Sequence, residues 1–429
     1  MLTAQNVAEV ATVIGRGTTR AIPLTSGTSN AEWQSMFDRN PGASPFQHAA
    51  YVQTEIDDLP PSGLKPVLLQ SGSGDDSQGL GVLIPKRVRT GKVGGLGPGW
   101  NLSGLRLSGE SFLTVDDSVA SQSALLSVAT KHCTSVGADF LLIEDLDEQS
   151  PLFQAVQDVA THGCRLFIAR NSQPRWRIDL PAKEEDYWKT FSPRTRRTFR
   201  NNLKRMGQTH LERITDASQV PGFLIDAHEI SKQSWQSRQF GLRIRNDQSE
   251  LQRLTVLAQL GFLRSYVLKV ADKPAAFAFC HQRNGYFRYE EVAYCAEFSP
   301  YSPGVTALQQ IVEDLYRDAL PRCFDFGGGD AEYKRQFGNR ESRSQSIWLV
   351  PPTWRAGASL AWLNGCRNLR SLGRHAVKSS GLATKARQWL RYGGRADHAK
   401  PSTLVPGTAP TAAPTTEENE SHPSETSGR

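Results

Sequence analysis

Residues 285–338 constrain the fold more than any other part of this chain. They begin with aromatic and β-branched residues over 286–294, a composition that is typical of a β-strand. Pro303 and Gly304 interrupt the strand, and apolar residues at helical spacing then predict a helix over 305–320. A strand, a turn and a helix in this order indicate an α/β fold.

A second strand, predicted over 322–326, leads into three glycines at 327–329. Glycine has no Cβ, so the backbone of such a loop can pass close to a bound ligand. The turn before the helix, Ser302-Pro303-Gly304, offers another feature, because the first N–H groups of a helix have no intrahelical partner. A helix start of this kind suits an anionic phosphate group.

The YSPG turn, the helix and the segment FDFGGGDAEYKRQFG resemble the C-terminal half of the acyltransferases of the cellulose-biosynthesis type. Those enzymes belong to the Gcn5-related N-acetyltransferase (GNAT) superfamily. Trp33, the motif SPFQ at 44–47 and Tyr51 extend the resemblance towards the N-terminus. The resemblance implies two tandem GNAT-like α/β halves, each a mixed, mostly antiparallel sheet flanked by helices.

The chain has 429 residues, enough for two domains, and its 38% hydrophobic and 9% aromatic content is that of a globular protein. Alternating helix and strand patterns repeat in two stretches of similar length. The predicted parts are an irregular lead-in over 1–25, an N-terminal half over 26–180, a C-terminal half over 181–350, a basic helical extension over 351–397 and a disordered tail over 398–429.

Several function classes find no support in the sequence. The six cysteines form no CxxC pair and the nine histidines no HxxxH or HExxH pattern, so neither a disulfide framework nor a metal site is predicted. No segment approaches the roughly 20 apolar residues of a membrane span, and the N-terminus does not have the pattern of a signal peptide. These features predict a cytoplasmic protein.

The positive charge of the chain is concentrated near its C-terminus. Residues 351–400 contain ten Lys or Arg and one acid, Asp397, whereas the net charge of the whole chain is +7. Such a stretch fits peripheral contact with an anionic membrane or with a protein partner, or a solvated helical extension. The remainder of the chain is close to neutral.

A second basic segment lies inside the C-terminal half. Ser192 and Pro193 are a helix start signal, and Arg196, Arg200 and Lys204 share one face at helical spacing. This face suits the phosphates of a coenzyme, a nucleotide-linked sugar or a nucleic acid, or it is a solvated face paired with acids elsewhere. A similar S-x-x-T-R-R-x-x-R segment occurs in the family that the chain resembles, and Arg196 and Arg200 are therefore expected to bind substrate.

Two carboxylates are candidates for the base that acyl transfer requires. Glu290 and Glu291 are neighbours on a strand, so only one of them should face a cleft, and Glu291 is favoured. The alternative is a charge at a sheet edge or an ion pair with Arg288. Asp325 can act as a base, orient a base, or hydrogen-bond the glycine loop.

The resemblance implies further roles. Tyr333 would protonate the leaving thiolate, and Lys334 would contact substrate or phosphate. An acyl-coenzyme A, acetyl-coenzyme A in the first instance, would donate the acyl group, and a saccharide or another small molecule of polysaccharide biosynthesis would accept it between the halves. Because no nucleophile motif stands out, transfer is expected to be direct. The expected coenzyme-binding residues are Tyr301, Ser302, Pro303, Gly304 and Val305.

One departure from the superfamily leaves alternatives open. The usual pyrophosphate loop has an Arg/Gln-x-x-Gly-x-Gly/Ala pattern, and SPYSPGV retains a single glycine. This departure leaves open a different donor, aminoacyl-tRNA, and with it a FemAB-like peptidyl transferase. A third possibility is an accessory protein of polysaccharide biosynthesis that keeps the fold without catalysis.

Overall fold

In the computed structural model, the described strands form one continuous sheet with helices on both faces. Residues up to Leu369 form one compact unit. The side chains of residues 12–14, 17–18, 90, 100, 161 and 367–379 are not described. The described residues are 12–14, 17–24, 31–61, 63–72, 78–90, 100–161, 163–234 and 244–379.

The described residues of the N-terminal half form eight strands and four α-helices. Its strands are β1 (Thr12–Ile14), β2 (Gly17–Pro23), β3 (Val67–Ser71), β4 (Gly79–Thr90), β5 (Trp100–Leu107), β6 (Leu113–Thr114), β7 (Leu141–Asp147) and β8 (Arg165–Ile178). Its helices are α1 (Ala31–Arg39), α2 (Ala49–Asp57), α3 (Val119–Ser135) and α4 (Pro151–Thr161).

The C-terminal half supplies six more strands. They are β9 (Thr209–Ile214), β10 (Ser265–Val270), β11 (Lys273–Arg283), β12 (Tyr286–Tyr294), β13 (Cys323–Gly328) and β14 (Arg340–Val350). The helices from here to the end of the described chain are α5 (Glu184–Lys189), α6 (Pro193–Met206), α7 (Val220–Gln233), α8 (Gln248–Gln259), α9 (Pro303–Arg317), α10 (Glu332–Phe337) and α11 (Trp354–Ser379).

The two halves exchange strands at the centre of the sheet. The strand order is β1-β2-β3-β4-β5-β7-β14-β8-β13-β12-β11-β10-β9, with β6 paired to β4. Strand β14 of the C-terminal half thus lies between β7 and β8 of the N-terminal half, and β8 lies between β14 and β13. Backbone hydrogen bonds therefore join the two halves into one sheet.

Each half contains one parallel strand pair in an otherwise antiparallel set. In the N-terminal half, β5 and β7 are parallel, with Arg106 opposite Leu142. In the C-terminal half, β12 and β13 are parallel, with Arg288 opposite Asp325. Beyond that pair, β12 continues along β11 while β13 turns to β8, so the two parallel strands diverge.

Local sequence signals predicted several elements correctly. The Asn-Gly pair at 284–285 predicts a hairpin turn, and the structure has that turn after β11, with Asn284 and Gly285 at positive φ. The Ser192 hydroxyl accepts a hydrogen bond from the Thr195 N–H at 3.1 Å, and Pro193 is the first residue of α6. The lead-in, predicted as irregular or strand-like, contains strands β1 and β2, and α9 begins at the expected turn.

The glycine-rich sequence at 91–108 predicts an irregular surface loop or the wall of a cleft. Residues 91–99 lie outside the described residues, and Trp100–Leu107 is strand β5 rather than an irregular loop. Gly104 permits this pairing, because a Cβ there would lie 2.5 Å from the carbonyl oxygen of Phe140. The glycine therefore marks a close approach of two backbone segments.

Apolar side chains cover both faces of the sheet. In the N-terminal half, α3 and α4 pack on one face around Leu125 and Leu141, and α1 packs on the other around Trp33. In the C-terminal half, α7 and α8 cover one face around Phe277, while α6 and α9 cover the opposite face around Phe287. The core thus fixes the strand ends that carry polar side chains.

The extension after β14 begins as a helix, as predicted. Helix α11 is described to Ser379, whereas residues 380–397 and the predicted disordered tail at 398–429 lie outside the described residues. Within the part of the chain that the structure describes, no helix combines the length and apolarity that crossing a bilayer would require.

Candidate active site

A cavity of about 1130 Å³ opens between elements of the two halves. Its walls combine aromatic side chains, among them Tyr51, Phe279 and Trp348, with many ionised groups. Acids and bases are present in similar number. The charged lining residues are Glu55, Lys86, Arg106, Glu110, Glu144, Asp145, Arg170, Arg175, Arg177, Arg283, Arg288, Glu290, Glu291, Asp325 and Arg340.

Asp325 lies at the centre of a buried network of ion pairs. Arg175 donates from Nε to Oδ2 at 2.9 Å and from Nη2 to the same oxygen at 2.6 Å, and Arg177 Nε donates to Oδ2 at 3.1 Å. Arg288 approaches Oδ1 at 3.4 Å, and the Gly327 N–H donates to Oδ1 at 2.7 Å. Both carboxylate oxygens are therefore occupied.

This environment decides what Asp325 can do. Burial alone would raise the pKa of the carboxyl, but Arg175 and Arg288 outweigh burial and hold the pKa far below its usual range. A carboxylate with such a low pKa is a poor proton acceptor at neutral pH. Of the three roles considered from the sequence, the contacts support hydrogen bonding to the glycine loop and orientation of neighbouring groups, and they do not support the role of base.

Arg288 connects this network to the cavity wall. Its guanidinium contacts Glu290 at 2.8 Å, Asp145 at 3.0 Å and Glu110 at 3.2 Å, in addition to Asp325. Burial would lower its pKa, but these acids raise the pKa well above the usual value. Arg288 therefore stays charged and fixes carboxylates from β7 and β12 around one point.

The glycines at 327–329 accommodate protein groups rather than leaving an open loop. A Cβ on Gly328 would lie 2.5 Å from Asp145 Oδ1, and a Cβ on Gly327 would lie 2.8 Å from Arg288 Nη2. Gly327 also has a φ of +67°, which glycine adopts without strain. The close approach that the sequence predicted is thus made, for Gly327 and Gly328, to the ion-pair network.

Glu290 and Glu291 both line the cavity, contrary to the expectation that only one of them would. The reason is a β-bulge, since Phe279 is opposite Glu291 while Cys280 is opposite Tyr289. Glu290 is the additional residue, and the strand alternation shifts at this point. A bulge of this kind directs two neighbouring carboxylates to the same side of the sheet, and it left no signature in the sequence.

Glu290 and Glu291 differ in their surroundings. Glu290 accepts a hydrogen bond from Arg288 Nε at 2.8 Å, and its side chain is one-third exposed. Glu291 is half-buried on the same side of β12. The structure thus brings the predicted base, Glu291, to the cavity and adds Glu290 beside it.

His281 is a cavity residue that sequence reasoning missed. It lies on β11 opposite Arg288, and its side chain is 6% exposed. Burial lowers the pKa of its imidazole to about 4, so the ring is neutral at physiological pH. Its Nε2 has no hydrogen-bond partner among the described residues. A lone histidine in an apolar strand carries no signal that would have singled it out.

The N-terminal half contributes an arginine at an equivalent position. Arg106 on β5 occupies the place in its parallel strand pair that Arg288 occupies on β12. It donates to Glu55 at 2.9 Å and approaches Glu144 at 3.8 Å, and these three side chains line the cavity. Both halves thus direct a paired arginine into the same space.

Tyr333 lies at the point where β12 and β13 diverge. Its ring contacts Tyr289 of β12, with centroids 6.4 Å apart, and Phe326 of β13 at 5.9 Å. Tyr289 is the first residue of β12 beyond its parallel pairing with β13. Tyr333 is not among the cavity-lining residues, so the structure separates it from Glu291 and Asp325, which line the cavity.

Lys334 is turned towards the glycine loop. Its ammonium donates to the carbonyl oxygens of Phe326 at 2.8 Å, Gly328 at 3.2 Å and Gly327 at 3.4 Å. Burial, with Arg288 nearby, lowers its pKa to about 8. Lys334 thus fixes the backbone of the loop, and like Tyr333 it is not among the residues that line the cavity with Glu291 and Asp325.

The predicted coenzyme-binding turn lies apart from the charged cavity. Ser302 has a φ of +54°, and its carbonyl accepts from the N–H groups of Val305 and Thr306, both at 3.1 Å. Pro303 has no N–H, and the Gly304 N–H makes no hydrogen bond within the described residues. The start of α9 thus presents the Gly304 N–H together with the positive end of the helix dipole.

Helix α6 packs beside this turn and brings its basic side chains there. Met206 contacts Ala307 of α9 in one apolar cluster, and the Arg205 guanidinium lies over the Tyr301 ring at 5.5 Å. Phe199 is buried, whereas Arg200 is exposed and Arg196 is half-buried. The predicted substrate-binding arginines and the predicted coenzyme-binding turn therefore belong to neighbouring elements.

The basic side chains of α6 lack acidic partners in the described part of the chain. No ion pair within 4 Å involves any of them there, which argues against the reading of a face neutralised by acids elsewhere. An unpaired cationic helix face favours anionic ligands. These residues are Arg194, Arg196, Arg197, Arg200, Lys204 and Arg205.

The corresponding helix start in the N-terminal half is already occupied. Ser118 caps α3 by accepting from the Ser121 N–H at 3.2 Å, and Asp116 accepts from the Ser118 N–H at 3.2 Å. Asp117 pairs with Gln122 in the first turn. Two carboxylates at this point repel an anion, so the start of α3 is less suited to phosphate than the start of α9.

A family model described as an acetyltransferase (GNAT) domain matches residues 193–335. The matched region starts at α6 and includes β12, the turn, α9 and β13. No curated protein sequence matches the chain. Groups of three or more side chains able to hold a metal ion are absent from the described residues.

Solved structures with the same fold include FemX, which is 14% identical, with a TM-score of 0.53 over 77% of this chain and 97% of FemX. A putative lysylphosphatidylglycerol synthetase domain from Agrobacterium fabrum gives a TM-score of 0.49 at 13% identity, over 79% of this chain and 96% of that domain. A tandem GNAT protein of clavulanic acid biosynthesis gives 0.44 at 12% identity, over 78% of this chain and 99% of that protein. The likeness to FemX shows the fold.

Proposed function

We propose that this acyltransferase, whose GNAT-type domain covers residues 193–335, transfers an acyl group from acyl-coenzyme A to a polar acceptor held in the charged cavity. The observation that carries the proposal is the arrangement around the diverging strands β12 and β13. Tyr333 contacts both strands where they separate, and Glu290 and Glu291 of β12 line the cavity. A thioester bound in the opening between β12 and β13 would have Tyr333 on one side and Glu290 and Glu291 on the other.

The elements next to α9 support an acyl-coenzyme A as the donor. The Gly304 N–H and the positive end of the helix dipole suit the coenzyme pyrophosphate, with Tyr301, Ser302, Pro303 and Val305 forming the turn around it. The unpaired cations of α6 lie on a neighbouring element and add positive charge. Acetyl-coenzyme A is the simplest donor with these phosphates.

The acceptor is assigned from the composition of the cavity. A volume of about 1130 Å³ exceeds the needs of a small metabolite and fits an oligomeric or substituted molecule. Ionised side chains of both signs alternate with aromatic faces, an arrangement that hydrogen-bonds hydroxyl groups and stacks on sugar rings. A saccharide of polysaccharide biosynthesis, carrying a free amino or hydroxyl group, is the acceptor that we propose.

The chain's own residues suffice for direct transfer. The acceptor nitrogen or oxygen forms a bond with the acyl carbon, and Glu291 or Glu290 takes the proton that the acceptor loses. The bond from that carbon to sulfur breaks, and Tyr333 donates its proton to the departing thiolate. Asp325 holds Arg175 and Arg288, which in turn orient the carboxylates of the cavity wall. Lys334 fixes the loop from which α10 presents Tyr333.

A second candidate donor is aminoacyl-tRNA, the donor of the FemAB-like alternative that the sequence leaves open. The observation that favours it is the number of unpaired cations on α6, six within fourteen residues, because a single pyrophosphate needs fewer. Contacts with a longer phosphate backbone would use the whole exposed face. Such binding would weaken steeply with rising salt concentration.

The test is a transfer assay with acetyl-coenzyme A labelled in the acetyl group and a panel of amino sugars and oligosaccharides. Wild-type protein should label an acceptor, and the double variant Glu290→Gln/Glu291→Gln should lose at least about a hundredfold in kcat, the contribution expected of a general base. Glu341→Gln, an exposed acid on β14, is the matched control and should keep full activity.

The same assay is run with charged tRNA as donor. Transfer from tRNA alone, lost in Arg197→Glu, would replace the coenzyme by the second candidate. Full activity of the double glutamine variant would refute the assignment of the base whichever donor is used.

A further inference from the structure

The first half of helix α11 exposes an apolar stripe to solvent. Trp354 is 87% exposed and Trp362 is 36% exposed. Ala358, Ala361 and Gly365 are also exposed. Successive members of this set are one, three or four residues apart, and at 3.6 residues per turn all five positions lie on one side of the helix. An exposed tryptophan at a helix start is unusual, because burial of its ring would stabilise the protein.

The opposite side of the same helix is packed against the protein. Ala356 is buried, and Leu360 and Leu363 contact the cluster that contains Trp348 and Val350 of β14. The helix thus has two apolar sides, one that completes the core and one that faces outward. The outward stripe is therefore not needed to attach the helix to the sheet.

The charge of the helix favours one class of partner for the apolar stripe. The sequence Trp354–Ser379 contains five Lys or Arg and no acid. Arg355 pairs with Asp139 at 3.1 Å, and the other four follow Cys366 at intervals of three or four residues. A protein partner would need a matching acidic groove, and a second copy would bring like charges together. An anionic lipid surface satisfies both the cations and the tryptophans.

We propose that α11 lies in the interface of an anionic membrane, with Trp354 and Trp362 among the headgroups. Amphipathic helices bind in this way when an apolar stripe and several cations occur together. The proposal concerns where the protein works and does not depend on its donor or acceptor.

The site of attachment is adjacent to the charged cavity. Leu142 and Trp348 belong both to the apolar cluster under α11 and to the cavity wall. Lys86, an exposed cation without an acidic partner in the described part of the chain, lines the cavity as well. Attachment through α11 would hold one end of the cavity near the lipid surface, where an acceptor carried by a lipid would be found.

The experiment is sedimentation of the full-length chain with vesicles of phosphatidylcholine alone and of phosphatidylcholine mixed with phosphatidylglycerol. We expect binding to the mixed vesicles, release at high salt, and a partition coefficient about tenfold lower for Trp354→Ser. Trp354→Phe should restore most of the binding. Ile225→Ser, a change at an equally apolar and 55% exposed position on α7, is the matched control and should bind like wild type.

Three results would overturn the proposal. The first is wild-type protein that stays in the supernatant with both kinds of vesicle. The second is equal binding to both kinds of vesicle, or equal binding of wild type and Trp354→Ser. The third is a dimer in the absence of vesicles that Trp354→Ser dissociates, because the stripe would then be a self-association surface.

Discussion

Substituting Asp325 with Asn is the sharpest probe of the ion-pair network. Asn has the same shape and keeps an oxygen for the Gly327 N–H, but it removes the negative charge that Arg175, Arg177 and Arg288 share. Breaking one side of a buried ion pair costs about 3–5 kcal/mol, because the remaining charge stays buried without compensation. Arg175 and Arg288 keep Glu110, and Arg177 keeps Asp147, so we expect the lower end of that range.

The assay is urea unfolding followed by tryptophan fluorescence. Asp330→Asn is the matched control, because Asp330 follows the same glycine loop but pairs with Arg335 at the surface, at 2.5 Å and about half exposed. Exposed pairs contribute about 0–1 kcal/mol, so this control should unfold nearly like wild type. The urea midpoint of Asp325→Asn should fall clearly below the midpoints of wild type and Asp330→Asn.

Urea unfolding and the transfer assay together distinguish the roles considered for Asp325. If Asp325 positions the arginines, Asp325→Asn loses stability and activity together. If Asp325 is a general base, the variant loses activity and keeps its stability. An Asp325→Asn protein with the wild-type unfolding midpoint and no acyl transfer would refute our reasoning that Asp325 positions the arginines.

Three further substitutions test other parts of the site. Because the pKa of His281 is about 4 when folded and 6.5 when unfolded, the unfolded state takes up its proton as the pH falls from 7 to 5. The free energy of unfolding should then drop by about 2 kcal/mol, and a pH series of denaturation curves should show this loss in wild type and not in His281→Gln. Lys334→Met leaves buried carbonyls without a donor and should cost about 1–3 kcal/mol in the same urea assay; an unchanged midpoint would contradict the loop contact. Tyr333→Phe should lower kcat about a hundredfold with little change in KM or stability, and steady-state kinetics that match wild type would remove Tyr333 from the mechanism.

The sequence predicted those features that depend on local signals. The Asn284-Gly285 turn, the capped start of α6 at Ser192 and the helix that follows Pro303 each rest on neighbouring residues, and all are confirmed. The interruption of β12 by a bulge at Glu290 depends instead on how β11 pairs with it. No pattern within one strand records such an event.

The other features that the sequence did not predict depend on contacts between residues far apart in the chain. Arg175 and Asp325 are 150 positions apart and meet because β8 lies beside β13, an exchange between halves that strand patterns do not specify. His281 and Glu110 lie in stretches without any motif, so their place in the cavity depends on the assembled fold. The sequence predicted the glycine loop. It did not predict the Asp145 carboxylate and the Arg288 guanidinium, whose close approach requires glycine at this loop.

The central claim, that the start of α9 binds the phosphates of an acyl-coenzyme A, is tested most directly by isothermal titration with coenzyme A. Gly304→Glu and Gly304→Gln add side chains of equal size where a Cβ meets only Tyr294, at 3.6 Å. A carboxylate at a helix start stabilises the helix but repels a phosphate. We predict that wild type and Gly304→Gln bind coenzyme A, and that Gly304→Glu binds it at least about tenfold more weakly. Equal affinities of the Glu and Gln variants, or no binding to wild type, would contradict it.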